Sequence, residues 1–184
     1  MEFDKCVSER KSVRKFKTKS VSLKNVFSAI DAGNRAPIAG NLPTVRYIVV
    51  DDKEKIKELA EACGQGFVAS AGVLVAVCSD SENVVRSFDE RGERYARQQA
   101  GAAIENFLLK LVDLGLSTCW VGAFADAQVK RVLGVPDGVD VEGVFPVGYE
   151  TEKGKQKFKP DIKTRVYFNS WGNKELAHEA RQKV

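Results

Sequence analysis

The chain has 184 residues, 43% of them hydrophobic, which is enough to bury the full core of a single globular domain. Lysine and arginine exceed aspartate and glutamate only by 29 to 25, spread along the chain, and the net charge of +4 argues against a duplex-binding protein, which carries a larger and more clustered excess. No run of about 18 apolar residues occurs, which excludes a membrane-spanning helix.

The N-terminal stretch MEFDKCVSER lacks the apolar core of a secretory signal. The cysteines, Cys6, Cys63, Cys78 and Cys119, are far apart and form no C-x-x-C pair, so neither a zinc site nor a dense disulfide framework is expected. That usage fits a reducing cytoplasm. The single histidine, His178, lies in the polar stretch KELAHEARQKV and reads as an exposed helix residue. Ser-His-Asp and Cys-His catalysis need a positioned imidazole and are therefore disfavoured. No H-E-x-x-H, G-x-x-x-x-G-K-[ST] or G-x-G-x-x-G motif occurs. If the chain is an enzyme, a cofactor carries its reaction.

In chain order, Ser20 or Ser22 can cap a helix whose stripe is Val21, Leu23, Val26, Phe27 and Ile30, ending near Gly33-Asn34. VRYIVVDD (45–52) reads as a strand and KEKIKELAEAC (53–63) as a helix. GVLVAVCSD (72–80) is a continuous apolar run of strand length and reads as a central strand. Residues 94–115 predict the longest helix, with Ala102, Ala103, Ile104, Phe107, Leu108, Leu111 and Val112 over a wide apolar arc that implies deep burial. LSTCWVGAF (116–124) follows as a strand, DAQVKRVLGV as a short helix, and VEGVFPVGYE (141–150) as a further buried strand. Strands alternating with helices give an α/β or α+β domain: a sheet core with a long buried helix.

Four short segments are candidates for ligand binding. In SERKSVRKFK (8–17), Arg10, Ser12 and Arg14 alternate, so in an extended segment they share one face. Two guanidinium groups and a hydroxyl can converge there on phosphate, although a solvated basic stretch has the same pattern. APIAGNLPTVRY constrains its backbone with Pro37, Gly40 and Pro43 and offers the Asn41 amide, as a ligand contact or as an ordinary turn. In GLSTCWVGAF, Trp120 and Gly122 at a strand end suit a planar ligand pressed against backbone N–H groups, or a core tryptophan beside a bulge glycine. In KTR, Lys163 and Arg165 again share a face.

Together these segments resemble the nitroreductase-like family of FMN-dependent oxidoreductases, over about Cys6 to Arg165. RKSVR matches the family's R-x-S-x-R/K motif, which follows a helix and holds the FMN phosphate and ribityl chain; APIAGN matches its A-P-S-A-x-N loop, with Ile38 in place of the serine and Leu42-Pro43-Thr44-Val45 in place of the usual continuation. AGAAIENFLLKLVDLGLSTCWVGAF resembles its long helix and following strand, PVGYE its late strand, and KTR its terminal basic pair. The resemblance implies an α+β fold of the α/β/α nitroreductase kind: a central mixed, mainly antiparallel sheet flanked by helices in one domain spanning 1–184. It implies FMN bound by Arg10, Lys11, Ser12, Arg14, Asn41, Gln65, Trp120, Val121, Gly122, Lys163 and Arg165, with no catalytic side chain because flavin N5 carries the chemistry. It also implies NADH or NADPH as donor, a quinone or nitroaromatic as small-molecule acceptor, and a homodimer with FMN at the interface, residues 165–184 packing on the partner. Other readings are a flavin-binding member with specialised chemistry (flavin breakdown, dehalogenation or dehydrogenation), or a basic module for nucleic acid or a protein partner. The first expectation includes no nucleic-acid or membrane partner.

Overall fold

The computed structural model describes residues 1–152, 154 and 159–175. His178 and the expected partner-packing tail beyond Glu175 lie outside them. Strand β2 (Val73–Asp80) organises the molecule. It has no polar alternation because both of its faces are covered: Val73, Val75 and Val77 pack into one core, Leu74 and Cys78 into another. The first core is completed by α2 (Leu23–Asn34) and α5 (Gly92–Asp113), through Val26, Ala29, Ile104, Phe107, Leu108 and Leu111. The second is completed by α3 (Lys53–Ala62) and α6 (Asp126–Leu133), through Ile56, Leu59, Ala60 and Val129. Helices thus cover both faces of one sheet.

The sheet has the order β1-β2-β4-β3, with β1 at Val45–Val50, β3 at Ser117–Thr118 and β4 at Val139–Gly148. All three pairings are antiparallel. The mixed character expected from the resemblance reduces, among the described residues, to a single parallel bridge from Ser12 to Thr118. α3 starts where Asp52 accepts hydrogen bonds from the N–H groups of Glu54 and Lys55, at 2.9 and 3.0 Å. α5 buries the arc expected of it and ends with the Leu116 N–H reaching back to the Leu111 carbonyl.

Two helices appear where periodicity predicts none, α1 (Phe3–Glu9) and α4 (Glu82–Phe88). Each buries one residue, Cys6 and Val84 respectively, so neither has an apolar stripe to read. The strand expected over 116–124 contracts to Ser117–Thr118 plus an isolated bridge, Val121 to Val144. Between them, Cys119 and Trp120 leave the ladder.

Candidate functional site at the sheet edge

After α1, residues 10–18 run extended along the end of the sheet. The Val13 N–H donates to the Thr118 carbonyl at 2.9 Å and the Lys17 N–H to the Tyr149 carbonyl at 2.7 Å. Val13 and Phe16 are buried, which leaves Ser12 and Arg14 exposed on alternate positions, as the spacing predicts. Arg10 and Arg14 diverge, however. The Arg10 guanidinium lies 3.6 Å from the Glu105 carboxylate on α5, and that of Arg14 lies 5.8 Å over the Phe67 ring. Lys11 pairs with Glu150 at 2.8 Å, both half-buried. The segment thus carries two guanidinium groups, a hydroxyl and an ammonium, with Arg10 and Lys11 held by the Glu105 and Glu150 carboxylates.

The Gln65 turn docks on the segment after β3: Gln65 Nε2 donates to the Ala123 carbonyl at 3.3 Å. Phe67, under Arg14, belongs to the 3-10 turn Gly66–Ser70 that follows. The structure therefore brings Ser12, Arg14, Gln65 and residues 118–123 to one edge. There Val121 serves the fold, since its side chain is buried and its N–H and carbonyl both bond to Val144. Gly122 is exposed, and among the described residues its N–H has no hydrogen-bond partner. Trp120 is exposed beside it, with Nε1 donating to the Glu142 carbonyl at 3.2 Å.

Asn41 is elsewhere. It sits in the 3-10 turn Ala39–Asn41 with φ 57°, just ahead of β1. β1 opens with Val45 opposite Ser79, and Ser79 pairs with Asp140, whereas Thr118 pairs with Val147. At about 3.3 Å per strand residue, the Asn41 and Ser12 ends of the sheet are roughly 20 Å apart. Lys163 and Arg165 lie at a 3-10 turn, Ile162–Thr164, capped by the Asp161 carboxylate, and line neither of the clefts that Arg10 lines.

The titrating groups near the edge are structural. Burial pushes the Cys63 and Cys78 thiols up to about 11, so neither is a ready nucleophile. Burial also raises the Glu142 carboxyl, against the lowering influence of the neighbouring Ser79 hydroxyl and of the Arg97 charge. Phe67, Glu105, Glu142 and Glu150 join the candidate site here without having been singled out by motif; each is unremarkable in sequence and is brought in only by tertiary contacts.

The donor set at this edge is guanidinium, hydroxyl, amide and a free backbone N–H flanked by an indole, which fits a phosphate-bearing planar cofactor. The fold is α+β, an antiparallel sheet covered by helices on both faces, with this donor set at one edge. A NADH dehydrogenase from Thermus thermophilus is 28% identical over 175 residues, covering 79% of this chain and 85% of the relative. The solved structure of an FMN-dependent nitroreductase from Clostridium difficile is 27% identical, covers 90% of this chain and 98% of its own, and superposes with a TM-score of 0.77. The fold of an NADPH:FMN oxidoreductase from Vibrio harveyi, solved with NAD+, matches with a TM-score of 0.83 over 98% of this chain and 81% of its own, at 24% identity. The sequence model of the Nitroreductase family matches residues 7–149, from within α1 to just past β4 and ahead of Lys163 and Arg165. The chain belongs to the Nitroreductase family.

Proposed function

We propose that the chain is an FMN-dependent NAD(P)H oxidoreductase acting on a quinone or nitroaromatic acceptor. The observation that carries this reading is the exposed, unpartnered Gly122 N–H, flanked by Trp120 and by the Gln65 turn on which Arg14 rests. When bound, FMN supplies the redox chemistry, accepting hydride from NADH or NADPH and passing the electrons to the acceptor. The chain binds and orients. Arg10, Lys11, Ser12 and Arg14 would hold the phosphate by charge-assisted hydrogen bonds, and Lys163 and Arg165, outside the Arg10 clefts, would add positive charge from the later turn. The Gly122 N–H, beside the Trp120 indole, would donate to the ring edge as a fixed donor that acts without reorganising. Gln65 contacts the ring, and Asn41 comes from a second copy of the chain, which makes the working unit a homodimer. Free, buried cysteines support a cytoplasmic setting.

Purified protein should absorb in the flavin bands, release FMN on denaturation, and oxidise NADH or NADPH with menadione as acceptor. A colourless protein that takes up no added FMN overturns the reading.

A further inference from the structure

Strand β4 breaks register once. Gly143 pairs with Val77 and Val141 with Cys78, which leaves Glu142 as an extra residue, a β-bulge. The bulge turns the Glu142 carbonyl to the Trp120 indole, which donates to it at 3.2 Å. The indole lies across Gly143: a Cβ there would stand 2.6 Å from Nε1 and 2.9 Å from the Phe145 ring. Behind it, Phe145 meets the indole at 5.7 Å between centroids and 48°, and Phe145 is itself held edge-on to the core residue Phe107 at 5.8 Å. Trp120 is thus fixed by a hydrogen bond, a backbone gap and an aromatic neighbour, and is still 43% exposed. Its Nε1 also lies 3.9 Å from where a Cβ on Gly122 would stand, so the indole and Gly122 are neighbours.

We infer that Trp120 is a specificity-determining wall for the electron acceptor and that Gly143, within the bulge, is the positioning residue that sets its angle. The inference rests on the flavin reading above. The indole offers a rigid aromatic face to a flat conjugated acceptor, for which offset stacking is favourable. Its placement limits the width available over the ring. Any side chain at 143 must lift the indole away from Glu142 and narrow or reshape that space, while the phosphate contacts, at the other end of the segment, stay as they are.

The test uses FMN-loaded protein in a Trp171→Phe background, which leaves Trp120 as the only tryptophan, since the chain has two. Trp171 is 89% exposed, so its replacement leaves the core untouched. Gly143→Ala should shift the Trp120 emission to longer wavelength and change the ratio of kcat/KM for menadione over benzoquinone by about 10-fold, the scale on which one methylene changes discrimination in a pocket. FMN affinity, titrated in parallel, separates a reshaped acceptor space from a lost cofactor. A folded, flavin-loaded Gly143→Ala protein with unaltered emission and ratio overturns the inference. Should that variant not fold, Trp120→Phe keeps a ring and removes the Nε1 donor; it should move the same ratio, and an unmoved ratio is equally fatal. The flavin reading is tested separately: a wild type that takes up no FMN overturns it, and the acceptor assignment with it, before any variant is compared.

Discussion

Gly40 has φ 57°, and a Cβ there would stand 2.7 Å from the Phe88 ring, so the position excludes a side chain both by backbone and by space. Gly40→Ala should cost about 1–2 kcal/mol for the left-handed residue alone, with a further loss from displacing Phe88, read as a lower urea midpoint. Because Gly40 holds the turn that carries Asn41, the same variant should also bind FMN more weakly. A second residue-scale expectation concerns alkali. The Cys63 and Cys78 thiols, ordinarily near 9.0, are pushed up to about 11 by burial. Between those values the folded chain keeps protons that the unfolded chain has released, so stability is full below about pH 9 and falls as pH rises towards about 11. Tyr47, pushed up to about 12 by burial, extends the loss upwards. Thermal melts at rising pH should show this fall, and Cys78→Ala should make it shallower; a pH-independent melting temperature across that range would contradict the burial of these thiols.

Elements were legible in sequence in proportion to what they bury. β2 and α5 announce themselves because each contributes a run or arc of side chains to a core, and α5 in particular sets Phe107 fully inside, against Tyr47 and Phe145. Phe107→Ala should therefore destabilise by about 3–5 kcal/mol, measurable by denaturant unfolding, and far more than a truncation on α1. α1 and α4 are short and nearly stripeless, and only tertiary contacts, such as Phe88 over Gly40 and edge-on to Tyr95, make them necessary. The segment after α5 reads as one strand because Leu116, Val121 and Phe124 look alike in a linear pattern. What shortens it is the partner strand's bulge, which draws Trp120 across Gly143, a non-local effect that no local pattern carries. The site was legible as segments and not as geometry. The alternation of Arg10, Ser12 and Arg14 places Ser12 and Arg14 outward as expected, but the divergence of the two arginines depends on Glu105 and Phe67, which lie far along the chain.

At the scale of the whole molecule, Ser12 and the Asn41 turn stand at opposite ends of the sheet, with Gly122 between them. With roughly 20 Å along the sheet between Ser12 and the Asn41 turn, the proposed flavin site takes its Asn41 from a second copy of the chain. Exposed apolar side chains fit that arrangement, among them Phe27 on α2 at 57% and Ile38 beside Asn41 at 40%. A site shared in this way has a consequence that a site within one chain lacks. Arg14→Ala and Asn41→Ala should each weaken FMN binding when made in both copies, Arg14→Ala by the roughly 1.5–3 kcal/mol of a charge-assisted contact. When the two variants are co-expressed with different tags and the mixed dimer is isolated, one of its sites inherits both changes and the other inherits neither. That dimer should regain wild-type FMN affinity in half of its sites, with the matching share of NAD(P)H oxidation. If each site belonged to one chain, every site in the mixed dimer would carry one change and no tight binding would return. Titrating FMN into the mixed dimer separates the two arrangements directly.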